Sequence, residues 1–185
     1  MAQRLAKLFI LDRDGVINAD SDDFIKDLRE WRPLPGALEA IARLSGAGYS
    51  VAVCTNQSGI GRELITVSKL QEIHDAMRAR VQALGGTIAG IYFCPHVPED
   101  DCACRKPRPG LLERAMAEAG VAPKDTIAIG DALRDLLAAR SAGCRPILVR
   151  TGRGLNSEAE ARALGFNDVH DDLAAAVAHA LRRDS

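Results

Sequence analysis

At 185 residues the chain is long enough for one domain with a sizeable core. Its hydrophobic content of 47% is ordinary for a globular protein, and a formal net charge of −1 with scattered Lys and Arg argues against a nucleic-acid partner. Aromatics are only 4%, too few for a base-stacking surface, and no apolar run approaches the ~18 residues of a membrane span.

Residues 1–7 read as a short polar lead without the apolar region of a signal peptide, so a soluble, cytoplasmic protein is expected; a monomer is a separate expectation that the sequence does not settle. The apolar run Leu8-Phe9-Ile10-Leu11 reads as a buried strand, and Asp12-Arg13-Asp14-Gly15 follows it directly. Side chains at i and i+2 of extended backbone point the same way. In open α/β sheets, chemistry lies just outside the carboxyl ends of strands. Asp12 and Asp14 can therefore face one site. Two carboxylates that close repel unless a cation sits between them or one keeps its proton. That suits a metal-assisted nucleophile beside a general acid; the plainer alternative is an Asp-rich turn with Gly15 at an unusual backbone angle.

Residues 18–35 read as a loop with acidic Asp20, Asp22 and Asp23, and a helix over 37–44 is stopped by Gly46. A second apolar strand, 50–54, runs into Thr55-Asn56-Gln57-Ser58-Gly59, where hydroxyl, amide and Gly-rich backbone can form a nest for phosphate oxygens. Taken alone, that segment reads as a polar turn before a helix. The next helix, 68–84, carries Leu70, Ile73, Met77, Val81 and Leu84 on one face, with Ser68 and Gln71 as a capping box and Gly85-Gly86 as a stop. A third strand, 91–93, leads through a long loop to Pro109, and a helix over 111–119 ends at Gly120. A fourth strand, 126–129, ends in Gly130-Asp131, with Asp135 four residues on; a helix N-cap would explain that pattern equally well. A helix over 134–142, a strand over 146–149 and helices near 157–164 and 172–181 complete the chain. Short apolar strands alternating with helices predict a doubly wound parallel α/β sheet.

Of the five cysteines, Cys54 and Cys144 lie in or beside apolar runs and read as small buried hydrophobes. Cys94, His96, Cys102 and Cys104 fall within eleven residues. Three thiolates and an imidazole suit tetrahedral zinc, and with no position left open for water the metal would be structural. The alternative is reduced, unliganded cysteines. A zinc-clamped loop would aim Arg105 and Lys106, which follow Cys104 directly.

Asp-x-Asp, a hydroxyl, a lysine and a further Asp, in that order, resemble the haloacid dehalogenase (HAD) superfamily of phosphohydrolases. The resemblance covers nearly the whole chain. It is closer still to heptose 1,7-bisphosphate phosphatases and the related histidinol-phosphatases, through Asp12-Arg13-Asp14-Gly15-Val16-Ile17-Asn18, Thr55-Asn56-Gln57-Ser58-Gly59, and Cys94-Pro95-His96 with Cys102-Ala103-Cys104-Arg105-Lys106-Pro107. The resemblance implies a Rossmann-like HAD fold, with Asp12 as nucleophile and Asp14 as general acid and base. It implies Mg²⁺ on Asp12, Asp131 and the backbone carbonyl of Asp14. Thr55 and Lys106 would hold the phosphoryl group, and Asp135 would orient Lys106 or the metal shell. Asn18, Asn56, Gln57, Ser58 and Arg105 would contact a small phosphorylated sugar. The implied reaction is removal of the 7-phosphate of a heptose bisphosphate for surface-glycan precursors such as those of lipopolysaccharide; the runner-up is histidinol-phosphate hydrolysis, and the further alternative is a non-catalytic scaffold on a phosphatase fold, against which the intact Asp12, Asp14, Thr55, Lys106 and Asp131 argue.

About 40 residues separate Asp14 from Thr55 and about 50 separate Thr55 from Lys106, intervals largely consumed by the sheet's own elements. We therefore expect one domain over 1–185, with the zinc loop at 94–104 and no separate cap. Selectivity would rest on the loops 18–24, 57–63 and 94–108. Ala132 and Gly61-Arg62-Glu63 depart from the family pattern beside the expected pocket. His74 is expected to be packed or solvated on a helix flank, His170 and His179 to lie at the surface, and Trp31 to pack under the 18–35 loop.

Overall fold

The computed structural model describes residues 7–183; residues 1–6, most of the expected polar lead, lie outside the described residues. Strand β1 (Leu8–Leu11) is buried at every position. Phe9 and Leu11 feed one hydrophobic cluster, while Leu8 and Ile10 feed a second on the opposite face. A strand covered on both faces has no room for polar alternation, which explains its uninterrupted apolar sequence.

The chain continues through α1 (Ala37–Gly46), β2 (Ser50–Asn56), α2 (Val67–Ala83), β3 (Gly90–Cys94), α3 (Gly110–Ala119), β4 (Thr126–Gly130), α4 (Leu133–Ser141), β5 (Arg145–Val149), α5 (Gly154–Ala163), β6 (Val169–His170) and α6 (Leu173–Arg183). The strands form one parallel sheet in the order β3-β2-β1-β4-β5-β6. Helices α1, α2 and α6 cover the face holding Phe9 and Leu11. Helix α3 and Ala138 and Ala139 of α4 cover the other. This is the doubly wound architecture expected. Its order reverses beside β1, so the carboxyl ends of β1 and β4 open onto the crevice where such sheets bind ligands. Among the described residues, no helix is long and apolar enough to cross a membrane.

Several local expectations are corrected. Helix α2 starts at Val67, not Ser68: Thr66, in extended backbone, is the N-cap, and its side chain accepts a hydrogen bond from the Lys69 amide. Leu84 lies past the last helical turn and is 46% exposed, because the chain turns out through Gly85 rather than continuing the apolar face. Strand β6 is only two residues long and carries no apolar run. His170 and His179 are half-buried rather than surface residues, with rings 4.8 Å apart and His170 Nε2 2.9 Å from Asp168.

The cap assignment separates two substitutions. Thr66→Ala should lower unfolding free energy by about 1 kcal/mol, whereas Ser68→Ala should change it by well under half of that. Urea midpoints at unchanged slope measure both; equal shifts would return the cap to Ser68.

Candidate active site

Parallel pairing of Leu11 with Ile129 brings the segments after β1 and β4 together at the sheet's carboxyl edge. The Asp12 amide donates to the Ile129 carbonyl at 3.0 Å, and Asp131 follows β4 directly. Gly15 turns the chain away at φ 84°, and a Cβ there would lie 2.0 Å from Asp131 Oδ2. A Cβ on Gly152 would lie 2.2 Å from the same oxygen. Two glycines therefore let the backbone close around one carboxylate.

Lys106 reaches into this edge from the loop after β3. Its Nζ lies 3.0 Å from Asp12 Oδ1 and 2.7 Å from Asp135 Oδ1, and it donates to the Cys54 carbonyl at 2.8 Å. Asn56 clasps the lysine's backbone from both sides: its Oδ1 accepts from the Lys106 amide at 3.1 Å, and its Nδ2 donates to the Lys106 carbonyl at 3.0 Å.

Asp14 is held differently. Arg13 forks onto it through Nε at 2.9 Å and the Nη2 atom at 3.0 Å. Asn18 and Gln57 add side-chain amide bonds at 2.9 and 2.8 Å, and Gln57 also donates to Thr55 Oγ1 at 2.9 Å. His74 is packed, as expected, with Nε2 3.5 Å from the Arg13 guanidinium.

Three of the expected substrate contacts also make bonds within the protein. Asn18 is fully buried; its amide bonds Asp14 and the Ala19 carbonyl while its oxygen accepts from Trp31 Nε1 at 3.0 Å. It supports Asp14 and has no polar atom left for a ligand. The Asn56 side chain is spent on Lys106, and the Gln57 amide nitrogen on Asp14 and Thr55. Asp12, Asp14, Thr55, Asn56, Gln57, Ser58 and Arg105 line one cavity of about 260 Å³, and Asn18 does not. Arg134 and Arg153, which sequence reasoning missed, border it as well. Both follow the carboxyl end of a strand, β4 or β5, and that position was the available signal.

The zinc-ligand candidates converge. The Sγ atoms of Cys94, Cys102 and Cys104 and Nδ1 of His96 lie within 4.8 Å of one another, with neighbouring pairs at 3.3–3.6 Å. Ligands at ~2.0–2.3 Å from a tetrahedral centre sit roughly 3.3–3.8 Å apart, so the donor set fits one zinc. The sulfur separations of 3.5–3.6 Å exclude disulfides.

A HAD-hydrolase-like family profile matches residues 103–176. The D-glycero-beta-D-manno-heptose-1,7-bisphosphate 7-phosphatase of Neisseria meningitidis serogroup A is 52% identical over 148 residues, 80% of this chain and 79% of that one. The enzyme of the same name from Pseudomonas aeruginosa is 49% identical over 174 residues, 94% of this chain and 97% of its own. The chain belongs to the D-glycero-β-D-manno-heptose-1,7-bisphosphate 7-phosphatase family. The crystal structure of a D,D-heptose 1,7-bisphosphate phosphatase from Bordetella bronchiseptica, complexed with magnesium and phosphate, superposes on this family member with a TM-score of 0.92 at 46% identity, covering 96% of this chain and 99% of that one.

The acids of this heptose-phosphatase relative divide by environment. Burial lifts Asp12 to about 6, against the pull of Lys106 and with the help of Asp135. Burial, Asp12 and Asp135 lift Asp131 to about 8. For Asp14, burial is outweighed by the Arg13 charge and by hydrogen bonds from Asn18, Gln57 and Arg13, so its carboxyl sits below the ordinary value. Asp131 Oδ1 is buried without a hydrogen-bond partner, and oxygens of Asp12, Asp131 and Asp135 lie within 4.8 Å of one another. Such a set of hard oxygens suits a divalent cation.

Raised carboxyl values give a signed prediction. In the folded, magnesium-free protein Asp12 and Asp131 keep protons that the unfolded chain releases above pH ~4. Their stabilising effect is complete at low pH and is lost as pH rises through about 6 and about 8. Melting temperature in magnesium-free buffer should therefore fall from pH 5 to pH 8, and Asp131→Asn should flatten that fall. Parallel profiles for the two proteins would count against Asp131 as its source. Asp14 acts oppositely, its contribution disappearing only as pH drops below the carboxylate range.

Proposed function

We propose that the chain removes the 7-phosphate from D-glycero-β-D-manno-heptose 1,7-bisphosphate through a phosphorylated Asp12, supplying heptose for surface-glycan precursors. The observation that carries the reading is the pairing of Asp12 with buried Lys106, beside a separately held Asp14, in a chain about half identical to phosphatases of that name. Asp12 Oδ attacks phosphorus, the bond from phosphorus to the sugar's C7 oxygen breaks, and Asp14 delivers a proton to that oxygen. Water then attacks the aspartyl-phosphate, Asp14 takes its proton, and Asp12 leaves as carboxylate with release of inorganic phosphate. Lys106 and Thr55 stabilise the charge on the transferring group.

Asp14 must gain a proton despite its lowered value in the free protein. A phosphate dianion placed beside it supplies the field that raises it. Once the sugar departs, the Arg13 fork favours the carboxylate again, the form that serves as base.

Mg²⁺ would be held by Asp12, Asp131 and the Asp14 backbone carbonyl, and its chemistry is neutralisation of phosphoryl charge. The orphaned Asp131 oxygen supports that assignment. Zinc on Cys94, His96, Cys102 and Cys104 would be structural, tying the end of β3 to the segment that delivers Arg105 and Lys106. We read the chain as a single domain whose selectivity comes from loops around the cavity.

Asp12→Asn should abolish phosphate release while circular dichroism and zinc content stay unchanged, since an amide cannot form the acyl-phosphate. Turnover above about a thousandth of wild type would remove Asp12 from the nucleophile's role. Purified wild-type protein should carry one zinc per chain by elemental analysis. Side-by-side rates on the heptose bisphosphate and on histidinol phosphate test the substrate; a preference for the latter would overturn it.

A further inference from the structure

Three arginines border the cavity, and they are not equally committed. Arg153 is spent on the rim, with Nε 2.9 Å from Asp20 and its second guanidinium arm 3.0 Å from Asp22. Arg105 donates one bond, to the His96 carbonyl at 3.2 Å. Arg134 makes no hydrogen bond or ion pair among the described residues, and its Nε is buried without a partner. The surroundings make this unusual. Asp135, Asp12, Asp131 and Asp20 all act on the Arg134 charge, yet none pairs with it. An unsatisfied guanidinium N–H away from water is costly unless a ligand completes it.

The position of Arg134 narrows the ligand. It stands in the first turn of α4, so a helix rather than a mobile loop carries it. It lines the same cavity as Asp12 on the floor and Asp20 at the rim. The floor already has a cation for the reacting phosphoryl group, since Lys106 sits 3.0 Å from Asp12. The rim is acidic at Asp20 and Asp22 and would repel a second phosphate that met no cation. An arginine fork matches two oxygens of a phosphate at once.

We propose that Arg134 is a substrate-specificity residue whose guanidinium receives the phosphate that remains on the product. The inference rests on the reading of the chain as a sugar-bisphosphate phosphatase. It adds to that reading a binding residue that neither the sequence motifs nor Arg105 accounts for.

The test compares wild type, Arg134→Gln and Arg134→Lys on the heptose bisphosphate and on p-nitrophenyl phosphate, which has no second phosphate. Losing a charge-assisted fork is expected to lower kcat/KM on the bisphosphate by roughly ten- to a hundred-fold more than on p-nitrophenyl phosphate, chiefly through KM. Arg134→Lys keeps the charge among the acids but not the fork. It should match the wild-type melting temperature and still lose several-fold on the bisphosphate relative to the small substrate. Equal losses on both substrates, or full bisphosphate activity in Arg134→Lys, would overturn the proposal. Competitive inhibition of p-nitrophenyl phosphate hydrolysis by fructose 1,6-bisphosphate separates this failure from failure of the substrate reading. If wild type shows no preference for the heptose compound, that reading falls. The anion site then stands if the inhibition constant rises in Arg134→Gln, and falls if it is unchanged.

Discussion

The carboxyl edge of this sheet is organised around one buried ammonium. Lys106 is 3% exposed and is stabilised by Asp12, Asp135 and the Cys54 carbonyl. Burial alone would strip its proton, but the two carboxylates outweigh that and push its affinity for the proton up. Removing one partner from such a cluster typically costs about 3–5 kcal/mol, because the charge left behind has nothing to answer it. The same Asp135 accepts a bond from the Ala132 amide at 3.0 Å and so caps α4. One charge thus joins the end of β1, the loop after β3 and the first turn of α4.

The lysine comes from a long loop, yet it must be placed to within tenths of an ångström. Ordering irregular backbone costs about 1–2 kcal/mol per residue, and hydrophobic packing offsets little of that here. Polar fastenings take over. Cys94 closes β3 within the sheet, while Cys102 and Cys104 fold back to it with His96. Arg108 ties the loop to the Asp101 carboxylate and the Cys102 carbonyl, and Asn56 fixes the lysine's own peptide. Fastening a loop at its root leaves its rim free to vary with substrate.

Much of this was legible in the residues. The five longer strands announced themselves as short, largely apolar runs, Asp12 and Asp14 line one cavity, and the four soft donors lie within 4.8 Å of one another. The misses have physical causes. Strand β6 is short and half-buried, so hydropathy carries no trace of it. Amides of the two polar motifs looked like ligand contacts, yet the Asn18 and Asn56 side chains also bond Asp14 and Lys106, because a part-buried acid and a buried lysine need donors and acceptors of their own. Sequence spacing tells which side chains meet, not which of them are already occupied. Arg134 and Arg153 escaped notice because a lone arginine after a strand has no pattern; only the folded cavity gathers them.

Trp31 supplies a last consequence. It is the single tryptophan of the chain, 2% exposed, and its indole N–H bonds the oxygen of Asn18, whose amide in turn bonds Asp14. Indole emission responds to the polarity and hydrogen bonding around that N–H. Excited at wavelengths that spare the two tyrosines, the protein's fluorescence is therefore the light of one ring, two hydrogen bonds from the carboxyl group proposed to move the proton. An optical reporter is already wired to the acid, with no label required.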